Sequence, residues 1–368
     1  MHTIIFLLNH YMVTTLWVCT ILLFILHVLP FVRNQHWIFR VPDFIRPQLL
    51  FLQLLALIFI FFNWSALDFR IWMLLIVLGC VAYNCYIFVR FTKFWRSTKH
   101  GVSDEHSEIV KIISVNVYQF NTDYHRLIKL VREEQPDILL TMESNQDWEN
   151  ALQELKDIYP HYEEVALENT YGMHLYTKLK VHKLHVHYFV ADDLPSIEAE
   201  LETDDGYRFV FFGVHPPPPS PTEEDTSKER DGDLLSVAKL AKKQKLPVVI
   251  TGDFNTVAWS RVSRLFKKAS ELIDARYGRG YLATFHANYW FFRIPLDLLY
   301  HSTDVFVEDL KILPSIGSDH FPMCCTFYID KANHEQEKDV RHLDREEDEE
   351  VEELIDEGKE EKSDNREA

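Results

Sequence analysis

Cysteine is scarce in this chain, five in 368 residues. Cys19, Cys80 and Cys85 fall in apolar runs. Cys324 and Cys325 are adjacent in a run with strand character, where neighbouring side chains point to opposite faces. No metal-type spacing and no disulfide framework results, so cysteine usage does not indicate a compartment. Basic charge is also in deficit: 38 Lys and Arg stand against 56 Asp and Glu, a net charge of -18. Residues 1–108 carry eight basic and five acidic side chains, net +3. Residues 109–330 carry 23 and 34, net -11, and residues 331–368 carry 7 and 17, net -10. An acidic central region is a poor match for long duplex DNA, whose affinity rests on Lys and Arg neutralising phosphates. A local basic patch from Lys228, Arg230, Lys242, Lys243 and Lys245 stays open on sequence grounds. No internal repeat is present.

Long apolar runs are confined to the first hundred residues. They cover 3–32, 48–64 and 71–91. The first and third are long enough to cross about 30 Å of hydrocarbon as helices, and the second is marginal. Trp17, Trp37, Trp64, Trp72 and Tyr86 lie in or near these runs, where interfacial aromatics belong. The first run lacks the basic start and small-residue cleavage pattern of a signal peptide. We therefore expect a three-helix transmembrane anchor over 1–96, with residues 3–91 partnered by a lipid bilayer in the cell (inner) membrane. Three spans put residues 33–47 and the post-anchor segment on one side, with Arg33, Arg40, Arg46, Arg90, Lys93, Arg96 and Lys99, against Arg70 alone on the other. The positive-inside rule reads that side as cytoplasmic.

Residues 97–108 have linker composition. Residues 331–368 are acidic and almost free of aromatics, which predicts a solvated, disordered tail. Between them, apolar runs with strand character at 111–115, 138–142, 197–201, 209–214, 247–251, 304–313 and 323–328 alternate with helical spacing at 122–135 and 234–245. Pro136 ends the first helix, and the proline run 216–219 must be an extended loop. A layered α/β domain over 109–330 is the expectation.

The chemistry-bearing side chains sit directly after apolar strand runs. Asn116 follows Ile112-Ile113-Ser114-Val115, and Glu143 follows Ile138-Leu139-Leu140-Thr141-Met142. His215 follows Val210-Phe211-Phe212-Gly213-Val214, and Asp253 and Asn255 follow Val248-Val249-Ile250-Thr251. Strand ends of one sheet rim can aim their last side chains into a common cleft. The residue types suit an anionic phosphate ester, which needs a cation, an oriented water and a proton source. Glu143 and Asp319 are hard oxygen ligands suited to Mg²⁺. Asp253 can orient or deprotonate a water, and Asn255 can donate to a phosphate oxygen or fix a neighbour. His320 and His215 can stabilise developing charge or protonate the leaving oxygen. Asp297 paired to His320 would set its tautomer.

Gly252-Asp253-Phe254-Asn255 after a buried strand, with Ser318-Asp319-His320 near the end, resembles the endonuclease/exonuclease/phosphatase superfamily. The resemblance spans about residues 109–330. It implies a four-layered α/β sandwich of the deoxyribonuclease I type and catalysis with Mg²⁺ or Mn²⁺. Asn116 matches the first-strand Asn, Glu143 the metal-binding Glu, His215 the mid-domain His, and Asp297 the Asp that orients the last His. Asn116, Glu143 and Asp319 are thereby the expected metal residues. Tyr171, in a Tyr-Gly element, and His174 are further candidates for substrate contact. One departure stands out: Leu298 follows Asp297 where the family often has His. The three-span start is similar to a membrane-anchored bacterial branch, and that analogy puts the domain outside the cell membrane, against the charge bias.

Plainer roles compete. Asp253 and Asn255 could form a turn, Glu143 could open a helix, and Tyr171 could be a core residue. Three functional readings follow: a metal-dependent phosphoesterase acting on a phosphodiester or phosphomonoester, a nuclease of the same fold, and a catalytically silent membrane scaffold. The acidic domain weighs against nucleic acid as the partner.

Overall fold

The computed structural model describes residues 2–64, 70–95 and 108–362. Helix α1 spans His2–Val28, α2 Trp37–Phe44, α3 Arg46–Phe62 and α4 Arg70–Phe88. Two helical stretches, His10–Phe31 and Arg70–Phe91, are long and apolar enough to cross a membrane. The second apolar run belongs to a bent pair: α2 meets α3 at 69°. Pro47 sits in the first turn of α3, where its missing N–H costs nothing. Ala56 and Ile60 of α3 pack against Met73 and Val77 of α4, with Trp17 alongside. At the domain end, the Arg46 guanidinium donates to Asp43 at 2.6 Å and to Asn84 at 3.2 Å. Asn84 in turn donates to Gln53 at 2.9 Å, so a buried polar chain fastens α2, α3 and α4 together. All but Glu108 of the expected linker 97–108 lies outside the described residues.

The domain that follows holds β1 (Val110–Asn116), α5 (Tyr124–Glu134), β2 (Ile138–Met142), α6 (Gln146–Leu152), β3 (His161–Val165) and β4 (Met173–Thr177). It continues with β5 (Lys180–His187), β6 (Ser196–Glu202), β7 (Arg208–Val214), α7 (Lys228–Lys242), β8 (Val248–Asp253) and α8 (Arg261–Ser270). It closes with β9 (Ile273–Asp274), β10 (Asp297–His301), β11 (Val305–Ile312), β12 (Met323–Ile329) and α9 (Arg345–Glu360). Two six-stranded sheets form, ordered β11-β12-β1-β2-β4-β3 and β5-β6-β7-β8-β10-β9. Strand alternation sorts their side chains. Ile112, Leu140, Phe211, Val249 and Leu299 face the other sheet. Ile113, Val115 and Leu139 face α5 and α6, while Val210, Phe212 and Ile250 face α7 and α8. Helices, sheet, sheet, helices is the expected four-layered sandwich, and both central strand pairs, β1–β2 and β7–β8, are parallel.

The N-terminal helices are packed on the domain. The Trp259 indole N–H donates to the Asp43 carbonyl at 2.9 Å, and Phe88 and Phe91 meet the same ring edge-on at 5.0 and 5.7 Å. Backbone bonds run from Trp37 N to Asp225 O and from Gly278 N to Arg90 O. Residues 33–44 and the end of α4 therefore both contact the domain.

Two expectations change. The acidic tail does not stay solvated throughout: α9 folds and docks on α7. Asp344 and Glu347 make a capping box at its start. Val351, Leu354, Ile355 and Gly358 lie at helical spacing toward α7, with Val351 fully buried. A Cβ on Gly358 would approach the Lys228 carbonyl to 2.7 Å, so the two helices touch backbone to backbone there. The acids are answered by base: Lys228 pairs with Glu361, Arg261 with Glu350, Lys239 with Asp348 and Lys268 with Glu347. Three of the five residues of the suspected basic patch are paired, Lys228 as above, Arg230 with Asp231 and Lys242 with Glu271, while Lys243 and Lys245 stay exposed. His174 is the second correction. It lies in β4 on the face of Tyr176, fully buried against the helix layer, and neither ring nitrogen has a partner. A side chain sealed there cannot meet a substrate. Burial, aided by the Lys156 charge, lowers its pKa to about 3.

Val351→Asp should cost roughly 3 kcal/mol, because it buries an unpaired charge. The full chain should lose about 6 °C or more in Tm by calorimetry, while the exposed Glu353→Ala leaves Tm unchanged. Equal Tm values would return the tail to solvent. For His174, the unfolded chain binds a proton below about pH 6.5 that the folded chain refuses until about pH 3. Stability from the neutral ring is therefore present above pH 6.5 and lost as pH falls. His174→Phe should raise Tm relative to wild type more at pH 5 than at pH 8, read by thermal melts at both.

Candidate active site

The parallel pairing of β1 and β2 sets Asn116 opposite Met142, so Glu143, the next residue, emerges beside Asn116. Glu143 has a left-handed backbone (φ 58°), uncommon for a residue other than glycine. The Asn116 amide donates to Glu143 Oε1 at 2.7 Å and to Asp253 Oδ2 at 3.2 Å. The Gln119 backbone N–H donates to Glu143 Oε2 at 3.2 Å. These donors do not fully offset the deep setting of the group. Its burial, with the nearby Asp319 charge, pushes the Glu143 carboxyl up to about 7.

The other half of the site comes from the second sheet. Gly252 has φ 150°, and a Cβ there would lie 2.0 Å from the Val214 carbonyl. Only glycine lets β8 run this close to β7, which brings Asp253 beside His215 (Oδ2 to Nε2, 4.0 Å). Asp253 Oδ1 accepts from Asn255 N at 2.9 Å, and Asp253 N donates to Met142 Sδ at 3.0 Å across the sheets. Asn255 takes a left-handed turn (φ 48°) and donates its side-chain amide to the Pro216 carbonyl at 2.9 Å. It thus ties the proline run to the end of β8. Antiparallel pairing sets Asp297 of β10 directly against Asp253. Asp297 Oδ2 takes His320 Nδ1 at 2.9 Å, and His320 Nε2 lies 3.4 Å from Asp253 Oδ2. Ser318 Oγ donates to the Asn116 carbonyl at 2.8 Å and accepts from His320 N at 3.0 Å, pinning the loop over β1.

The two histidines are in opposite states. Burial works against charge on His320, but Asp253 and Asp297 outweigh it and hold the imidazolium up to about 10. Burial lowers His215 to about 4, the His320 charge adding to it and Asp253 opposing, so that ring is neutral. Asp253 itself is raised, first by burial and then by Asp297, with His320 and His215 opposing.

All eight of the main sequence candidates, Asn116, Glu143, His215, Asp253, Asn255, Asp297, Asp319 and His320, meet at one rim of the two sheets. Asp319 is partly exposed at the mouth. Tyr171 lies behind the site: its ring is 5.6 Å from that of His215, and its buried hydroxyl donates to Glu223 at 3.0 Å. The departure at Leu298 is explained by alternation along β10. Its side chain points to the outer core with Phe254 and Phe266, away from Asp297 and the site. Sequence reasoning passed over Gln119, Glu223, Thr284 and Phe285. Thr284 Oγ1 accepts from Asp297 N at 3.3 Å, and the Phe285 ring lies 5.0 Å from His320. Loop residues with no periodic neighbours carry no local signal for such roles.

A metal of the Mg²⁺ kind takes one or two carboxylates and completes its shell with waters and substrate oxygens. Glu143 with Asp319 fits that habit, and a carboxyl raised for lack of compensating charge is where a cation is stabilised. Asn116 also meets the Glu143 and Asp253 carboxylates directly. Its amide oxygen accepts from Tyr118 N at 3.0 Å and its amide nitrogen clamps the two carboxylates. Among the described residues no group of three or more His, Cys, Asp or Glu is arranged as a metal cluster.

A profile of the Endonuclease/Exonuclease/phosphatase family matches residues 113–320. No curated protein matches the chain. Among solved structures, a humanized D. rerio TDP2 has a TM-score of 0.51 at 17% identity, covering 60% of this chain and 98% of that one. The human Nocturnin catalytic domain with bound sulfate has 0.50 at 18%, covering 62% and 96%. An endonuclease/exonuclease/phosphatase from Bacteroides vulgatus has 0.51 at 16%, covering 61% and 100%. Identities this low speak for a shared fold, and the profile adds the sequence motifs that run from β1 to His320. The chain belongs to the endonuclease/exonuclease/phosphatase family.

Proposed function

We propose that this chain is a membrane-anchored, divalent-metal-dependent phosphoesterase that hydrolyses its substrate by in-line attack of water. The observation that carries the reading is one buried network, Glu143–Asn116–Asp253–His320–Asp297, which joins both sheets through side chains alone. A silent scaffold has no use for a charged group enclosed between two carboxylates, which is costly to bury.

Membership of the family supports a hydrolase acting on phosphoester bonds. Glu143 and Asp319 would hold Mg²⁺ or Mn²⁺, whose chemistry is to polarise a phosphoryl oxygen and offset its charge. The residues of the chain do the rest. Asp253 aligns the attacking water and takes its proton. Asn116 holds Asp253 and Glu143 at fixed separation, so neither carboxylate must reorganise as charge develops. His320, kept as an imidazolium by Asp297, donates to the phosphoryl oxygen that gains charge. His215, a neutral ring against Asp253, attends the leaving oxygen. Asn255 positions Asp253 from one side and the 216–219 loop from the other. The net charge of -11 over residues 109–330, and the pairing of Lys228, Arg230 and Lys242, favour a small or headgroup phosphoester over nucleic acid.

Asp253→Ala and His320→Ala should each lower turnover of methyl p-nitrophenyl phosphate by about a thousandfold while the chain keeps its thermal transition. Excess chelator should abolish wild-type activity, and added Mg²⁺ or Mn²⁺ should restore it. Full activity in either variant, or in chelator, removes the mechanism. Asp297→Asn keeps the shape and removes the charge behind His320. We expect kcat to fall about a hundredfold with KM within threefold, as for loss of an orienting carboxylate. A drop confined to KM would mean that Asp297 serves binding instead.

A further inference from the structure

Residues 285–294 form a hairpin that joins the active site to the anchor. At its base, Phe285 N donates to the Ile294 carbonyl, His286 N to the Phe292 carbonyl, and Ala287 N to the Asp319 carbonyl at 2.6 Å. Phe285 also bridges His320. At its tip stand Tyr289, Trp290 and Phe291, exposed by 51, 82 and 62%. A run of three exposed aromatics is an unusual solvent-facing surface and marks a contact site. The tip touches α3: the Gln48 amide donates to the Phe291 carbonyl at 3.3 Å.

That contact sets the depth. Gln48 lies two residues past Arg46, a rise of about 3 Å into the apolar run. Phe51 and Leu52, on the same helical face as Gln48, are exposed apolar side chains of the anchor. The tip therefore extends the anchor's apolar surface at the level where a chain leaves hydrocarbon for headgroups, the level at which Trp and Tyr are enriched. From Trp290 back to His286 the hairpin measures at most about 13 Å. With α3 entering hydrocarbon at this level, the mouth of the site would stand just above the headgroup layer.

We propose that the 285–294 hairpin is an interfacial wedge seated in the bilayer surface, and that the site it supports hydrolyses phosphoesters carried by bilayer lipids. The substrate half rests on the phosphoesterase reading above; the wedge half stands on the hairpin and α3 alone. Water attacks phosphorus, the bond to the leaving oxygen breaks, and that oxygen leaves with a proton.

The test uses the full chain in phosphatidylcholine vesicles and the double variant Trp290→Ser/Phe291→Ser. Two reporters share one leaving group: hexadecyl p-nitrophenyl phosphate in the vesicles and methyl p-nitrophenyl phosphate in water. Wild type should prefer the hexadecyl ester. The variant should keep its rate on the methyl ester within twofold and lose about tenfold on the hexadecyl ester. The emission lost with Trp290, taken as the difference between wild type and variant, should be quenched in vesicles of brominated phosphatidylcholine. No quenching of that difference overturns the wedge. Equal use of the two esters by wild type, or a preference untouched in the variant, overturns the lipid substrate. Wild type inactive on both esters with Mg²⁺ present overturns the phosphoesterase reading, and the quenching still decides the wedge.

Discussion

Two carboxylates, Asp253 and Asp297, face each other across adjacent strands, both essentially without solvent. Like charges set this close in a low-dielectric interior repel strongly, and the pair is tolerable because His320 is held between them as a cation. Much of the domain serves that arrangement. Gly252 lets β8 close on β7, Ser318 ties the final loop to β1, and Thr284 braces the start of β10. Asn116 reaches from the other sheet to share Asp253 with Glu143. The site is the seam between two sheets as much as a cleft in a surface.

The four layers explain why such a seam survives. Each sheet has an apolar inner face and an apolar helix-covered outer face, so strand ends emerge from rigid, fully buried rows. Side chains at those ends inherit the stiffness of the sheets. The docked helix α9 completes the outer layer over α7 with apolar contacts at one stripe and ion pairs at its borders. An acidic segment can fold when the acids line the rim of a contact and small or apolar residues fill its centre.

The N-terminal helices and the domain meet through Trp259, which receives Phe88 and Phe91 on its ring and donates to the Asp43 carbonyl. Trp259 lies six residues beyond Asp253, and Arg230 donates from α7 to the Asn255 carbonyl at 3.2 Å. The segment that follows the active-site strand is therefore also the segment that seats the helical bundle.

Much of this was legible in the chain itself. Local periodicity announced β1, β2, β6, β7, β8, β11 and β12 with α5 and most of α7, because alternation and 3.6-residue spacing need only neighbours in sequence. The three apolar runs and the polar residues closing β1, β2, β7 and β8 were visible for the same reason. The family motifs brought Asp297, Asp319 and His320 into the same list. What remained hidden depends on distant partners. The start of α7 at Lys228, six residues before the expected 234, is masked by charges that are neutralised in α9 and beside it. The folding of α9 was masked likewise, since its acids find their bases only across a helix interface. His174 reads like a site residue in one dimension, yet β4 points it into the helix layer. The clamp that the Asn116 amide nitrogen makes on Glu143 and Asp253 was equally hidden, since the two acids belong to different sheets. Sequence alone singled out the polar residues that close the strands and the apolar helical runs that precede them. Tertiary structure decided which of them touch, because burial and charge compensation are properties of the assembled layers and not of any strand by itself.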